Sequence, residues 1–145
     1  MNSQDMLINN WLKKYKPIYD IALTENIHQE SVTDTVKNLA LQRSGFENIP
    51  LKYINDKGWH RRYSYMLLLK GESEIDFQKL VNLDWLDDLS DWLAEQNQMK
   101  NFPNLGKNKQ VTKVDCANAL TYETSEDGAV SVYALQIYFE IRKEN

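Results

Sequence analysis

At 145 residues, with 42% hydrophobic and 26% charged side chains, the chain has the length and composition of one soluble globular domain, which favours neither disorder nor a membrane-embedded class. Its formal net charge of −4 argues against a dedicated nucleic-acid binder, because neutralising phosphates takes a surplus of Lys and Arg. Cys116 is the single cysteine, which excludes an intrachain disulfide, and with no signal-like start or bilayer-length apolar run the expected location is the cytoplasm.

In chain order, Met6, Leu7, Trp11 and Leu12 fall at helical spacing, which predicts a first helix from Asp5 to Tyr15, stopped by Pro17. Residues 18–35 carry no decisive period and are left unassigned. From Val36 the period becomes two, with Leu39 and Leu41 alternating with Ala40 and Gln42, so a short strand is expected before a turn at Ser44-Gly45. Ile49, Leu51 and Tyr53 repeat the alternation, with Pro50 marking an edge strand or a strand end. Asn55 to Gly58 reads as a turn. Trp59 to Lys70 is then an interior strand, with Arg61, Tyr63, Tyr65, Leu67 and Leu69 on one face and Arg62, Ser64, Met66 and Leu68 on the other.

Phe77 to Met99 predicts a long amphipathic helix, with Trp85, Leu86, Leu89, Trp92 and Leu93 forming its apolar stripe. Pro103 and Gly106 end it in a loop. Val114, Cys116, Leu120 and Tyr122 are expected on one face of the next strand, with a bulge at Ala117-Asn118-Ala119. Ser125-Glu126-Asp127-Gly128 is a hairpin turn, since Asp-Gly tolerates positive φ. The closing strand, Val130 to Arg142, places Tyr133, Leu135, Ile137, Phe139 and Ile141 on one side and Val132, Ala134, Gln136, Tyr138 and Glu140 on the other. This order predicts an α+β fold: a mainly antiparallel sheet with the long helix on one face. Leu67, Trp85, Leu89, Trp92, Leu135, Ile137 and Phe139 are its candidate core, and no linker or repeat divides residues 1–145.

The residues assemble no catalytic constellation. The histidines are His28 and His60, neither in a recognisable motif, and Cys116 sits at an inward strand position, where a small thiol is not expected to be reactive without a cation or helix N-terminus beside it. Asp84, Asp88 and Asp91 are neighbours on one helix face, which keeps open an alternative as a metal-dependent nuclease or phosphatase; a solvated helix face accounts for the same pattern. No cofactor is implied. Charge is segregated along the chain: Asp84, Asp87, Asp88, Asp91 and Glu95 precede Lys100, Lys107, Lys109 and Lys113. These residues, with Gln136 and Tyr138 on the second face of the closing strand, are the candidate subunit interface, in which an acidic helix meets a neighbour's basic loop.

The segment from Trp85 to Lys109 resembles the phage minor capsid protein family, in which a helix bearing a Trp and a Gln-Asn pair leads to a Pro-Leu loop. Here these are Trp92, Gln96-Asn97 and Pro103 with Leu105, followed by a strand ending at Tyr122, the turn Glu126-Asp127-Gly128 and the strand around Tyr133-Ala134-Leu135-Gln136-Ile137. Tyr53 to Gly58 is similar to that family's turn before its long strand. The resemblance covers roughly the C-terminal two thirds. It implies a tail-terminator-like fold and a structural subunit of the head-tail neck of a long-tailed bacteriophage or prophage. Such a subunit forms a hexameric ring on the major tail tube protein, docks to a head-completion or connector protein, and lets DNA pass its lumen unbound. A head-completion connector and a monomeric binding module remain alternatives.

Overall fold

The computed structural model describes residues 3–24, 27–28, 38–50, 58–72 and 76–144. Along them run α1 (Ser3–Leu12), α2 (Lys16–Thr24), β1 (Ile27–His28), β2 (Asn38–Ile49), β3 (Trp59–Glu72), α3 (Asp76–Met99), β4 (Lys109–Thr124) and β5 (Val130–Lys143). The strands form one sheet in the order β1-β2-β3-β5-β4, antiparallel except for the β1–β2 pair. The fold is thus α+β with a mainly antiparallel sheet, as the periodicities predict, and β3 is an interior strand.

The N-terminal region departs from expectation. The first helix closes at Leu12 in a tight turn, where the amides of Lys14 and Tyr15 donate to the carbonyls of Trp11 and Leu12. Pro17 does not end helical structure; it lies in the first turn of α2, where its missing amide has no intrahelical acceptor to lose and its fixed φ suits the helix. Residues 18–24 of the unassigned stretch are therefore helical, and Ile27 and His28 pair with β2.

The expected turn at Ser44-Gly45 is instead a β-bulge. Arg43 faces Tyr65 and Gly45 faces Ser64, so β2 absorbs one extra residue and continues to Ile49. Gly45 has a φ of 110°, open to glycine and not to a residue with Cβ. Ile49 accordingly ends β2 before Pro50 and starts no strand of its own; Val36, Leu51, Tyr53 and Asn55 to Lys57 lie outside the described residues.

All the helices pack on one sheet face. Ile8, Trp11, Leu12 and Ile18 from α1 and α2, and Leu86, Leu89 and Leu93 from α3, share one core with Leu39, Leu41, Tyr63, Tyr65, Leu67, Leu69, Val111, Val114, Tyr133, Leu135, Ile137, Phe139 and Ile141 of the sheet. Five of the seven predicted core residues, Leu67, Leu89, Leu135, Ile137 and Phe139, are fully buried. Trp85 and Trp92 are not; they are half-buried, flanking the stripe and covering the core's margin against Tyr15 and Trp11. The end of α3 is fixed by a left-handed Lys100 (φ 56°), with the Lys100 amide donating to the Asn97 carbonyl and the Asn101 amide to the Gln96 carbonyl. The Trp11 indole N–H donates to the Asn101 carbonyl at 3.2 Å, joining α1 to this terminus.

The Asp-Gly hairpin forms as predicted: the Ser125 amide donates to the Val130 carbonyl, and the Asp127 carboxylate accepts from the Ser125 hydroxyl and the Ala129 amide. Edge strand β4 carries the expected irregularity between Ala117 and Leu120, and two more between Val111 and Lys113 and between Thr121 and Glu123. The first of these already sets Leu120 opposite Ala134, a residue of the other face, and Tyr122, within the last, is exposed and does not join Val114 in the core. At the outer edge the Val114 amide donates to Asn97 Oδ1 of α3 at 2.9 Å, and the Cys116 amide donates to Asp115 Oδ1 at 2.8 Å.

Candidate functional site

Helix α3 turns Leu86, Leu89 and Leu93 to the sheet, which leaves Asp84, Asp87, Asp88, Asp91 and Glu95 on the opposite side of the helix, all exposed. Among the described residues, none of these carboxylates pairs with a cation, and no group of three or more His, Cys, Asp or Glu is gathered to hold a metal ion. Their field reaches Tyr15, whose phenol is pushed up by burial and by Asp88 and Asp91. Burial also pushes the Cys116 thiol up, only partly offset by a hydrogen bond with Ser90, which disfavours the nucleophilic thiolate.

The lysines that follow do not form one cluster. Lys100 is exposed at the end of α3, and Lys113 stands on the face opposite the helices, 3.9 Å from Glu140. Lys107 and Lys109 instead meet Lys143 in a cleft of about 320 Å³, completed by Gln4, Leu7, Leu105 and Asn108. The sheet brings them together: Trp59, Lys143 and Lys109 are consecutive partners across β3, β5 and β4. Lys109 Nζ donates to Gln4 Oε1 at 3.2 Å and lies 5.7 Å from the centre of the Trp59 ring.

Gln4 and Lys143 were not among the sequence candidates. From the hairpin, Thr124 faces Ser131, and a regular ladder would run Lys109 past the C-terminal residue. Each of the three irregularities in β4 shifts the pairing by one residue, and together they set Lys109 opposite Lys143.

Behind the cleft a polar chain docks α1 to the sheet. Gln4 Nε2 donates to the Tyr65 hydroxyl at 3.1 Å, that hydroxyl donates to Asp5 Oδ1 at 2.6 Å, and Arg43 pairs with the same carboxylate at 2.9 Å. Burial and the bond to Asp5 push the Tyr65 phenol well above its ordinary value near 10. The folded state holds this proton while the unfolded chain releases it above pH 10, so the contribution to stability is complete below that pH and lost as pH rises beyond it. Tyr65→Phe is expected to cost about 1–3 kcal/mol at neutral pH by removing the buried hydroxyl that accepts from Gln4 and donates to Asp5. Urea unfolding followed from pH 8 to 11 should also show a shallower alkaline decline in that variant.

Gln136 and Tyr138 lie on the other face of the sheet, where Ala40, Leu68 and Ala134 form a small cluster with Met66 and Val132. The Tyr138 hydroxyl donates to Gln136 Oε1 at 2.6 Å, and the Arg62 guanidinium stacks 3.9 Å from the Tyr138 ring centre. Beside them Glu47, Arg62, Glu140 and Lys113 make a row of alternating charge across four strands. His60 Nε2 is 3.8 Å from Glu140 on the same face, while the His28 side chain lies outside the described residues.

No known protein family matches the chain, and no curated protein is significantly similar to it. The geometry supplies two surfaces of opposite charge: an acidic helix face turned from the sheet, and a lysine cleft where β4 begins and β5 ends. No helix among the described residues is long and apolar enough to cross a membrane.

Proposed function

We propose that the chain is a structural assembly subunit of a bacteriophage or prophage neck, which caps the tail tube as a ring and docks to the head-completion complex. The observation that carries assembly is the placement of the unpaired acidic face of α3 and the lysine cleft on different parts of one molecule. Contact between two such unlike surfaces is head-to-tail, and head-to-tail contacts close into rings when their rotation permits. The phage assignment rests on the resemblance carried by Trp92, Gln96-Asn97, Pro103, Leu105 and the strands that follow. In this reading the partners are the major tail tube protein and a connector, work takes place in the host cytoplasm and then in the virion, and DNA passes without being held. The net charge of −4 per copy favours that passage.

The test is complementation of tails assembled without the gene. Added protein should bind tube ends and convert overlong or headless tails into joined particles. Tails of normal length that join heads in its absence would overturn the proposal, and rescue of tail-ready heads alone would move the chain to the connector side of the neck.

A further inference from the structure

We infer that the Lys107–Lys109–Lys143 cleft receives the Asp88–Asp91–Glu95 stretch of α3 from a second copy of this chain. The inference deepens the assembly reading above and rests on it.

Lys109 and Lys143 are direct cross-strand partners, an arrangement of like charge that costs stability within one chain. Lys109 is nonetheless held in place by Gln4 and Trp59, and Lys107 adds a third ammonium group to the same cleft. Several other surface charges find partners, Lys16 with Asp20, Arg43 with Asp5, Arg62 with Glu47, and Lys113 with Glu140, while Lys13, Lys14 and Lys100 have no carboxylate partner among the described residues but stand apart from this cleft. Among the described residues, Lys107 and Lys143 have no carboxylate partner, and neither Asp88, Asp91 nor Glu95 has a cation. The cleft and this stretch of α3 are thus two grouped, unmatched sets of opposite sign.

The spacings agree. Lysines opposite each other on adjacent strands stand about 5 Å apart at Cβ, and carboxylates three or four residues apart on a helix stand about 5–6 Å apart. Met99, one turn beyond Glu95 and 58% exposed, supplies an apolar contact for Leu7, which is 38% exposed, and for Leu105 at the side of the cleft. The same copy's α3 does not serve as occupant, because its acidic face is turned from the sheet on which Lys109 and Lys143 stand. DNA is the weaker candidate: three lysines on a chain of net charge −4 give little phosphate neutralisation.

The experiment is carbodiimide coupling, which joins only touching amines and carboxylates, on a mixture of isotopically light and heavy protein at low salt. Mixed-isotope peptides should link Lys107, Lys109 or Lys143 to Asp88, Asp91 or Glu95. Their yield should fall about tenfold or more in the K107E/K143E variant and in the D88K/D91K variant, because each juxtaposes like charges across the contact. An equimolar mixture of the two variants should recover the yield, since each reversed surface then meets its opposite. K107E alone, at an exposed loop position, repeats the test without altering the sheet. Links confined to one isotope, yields unchanged in the variants, or no recovery in the mixture would overturn the inference. So would duplex DNA binding that is lost in K107E/K143E while wild-type copies fail to couple. Coupling without tail rescue would leave this contact standing and remove the tail reading; tail rescue by an uncoupled K107E/K143E protein would do the reverse.

Discussion

Trp11→Ala is expected to destabilise the fold by about 3–5 kcal/mol, the range for removing a large aromatic side chain from a core. Trp11 is 3% exposed, meets Trp92 and Phe139 at ring-centre distances of 5.1 and 5.9 Å, and ties α1 to the end of α3 through its indole N–H. The same change at half-buried Trp92 removes less buried surface and should cost less. Urea melts read by far-ultraviolet circular dichroism compare the two without relying on the tryptophan signal itself. Equal losses, or a larger loss at Trp92, would contradict this ranking.

Gly58→Ala is the second large effect. A Cβ at Gly58 would overlap the carbonyl oxygen of Lys143 and stand 2.8 Å from its carbonyl carbon, so backbone and not a flexible side chain must move. The expected loss is about 3 kcal/mol, the upper part of the overpacking range. Because Trp59 and Lys143 are strand partners, the damage should begin at that end of the sheet. Hydrogen exchange should quicken there first, at Trp59 and Lys143, while the amides of Leu67 and Leu135 keep their protection. A stable variant with unchanged exchange would refute the contact.

Elements whose signals are local were legible in the sequence. The leucine stripe of α3, the alternation of β3 and β5, and the Asp-Gly turn each follow from residues a few positions apart, and all stand where they were expected. Pro17 and Ser44-Gly45 misled because each has two structural uses: proline breaks helices yet also starts them, and glycine serves turns yet also serves bulges. Trp85 and Trp92 lie on the correct side of α3, but hydrophobicity does not tell a core centre from its rim, and Trp11 took the central place. The candidate site divides in the same way. The exposure of the acidic row follows from helical geometry alone, whereas the lysine cleft depends on how three bulges shift a ladder and on where α1 docks, neither of which is encoded locally.

The plugged margin of β4 carries a consequence for how copies of the chain meet at high concentration. An edge strand of 16 residues is long enough to template cross-β aggregation, because its unpaired amides invite another chain. Asn97 and Asp115 occupy two of those amides, and the three bulges break the flat run that an incoming strand would need. Copies that meet at high concentration are thereby steered away from zipping edge to edge: a single asparagine side chain, an aspartate and three extra residues stand between this edge and an amyloid-like one.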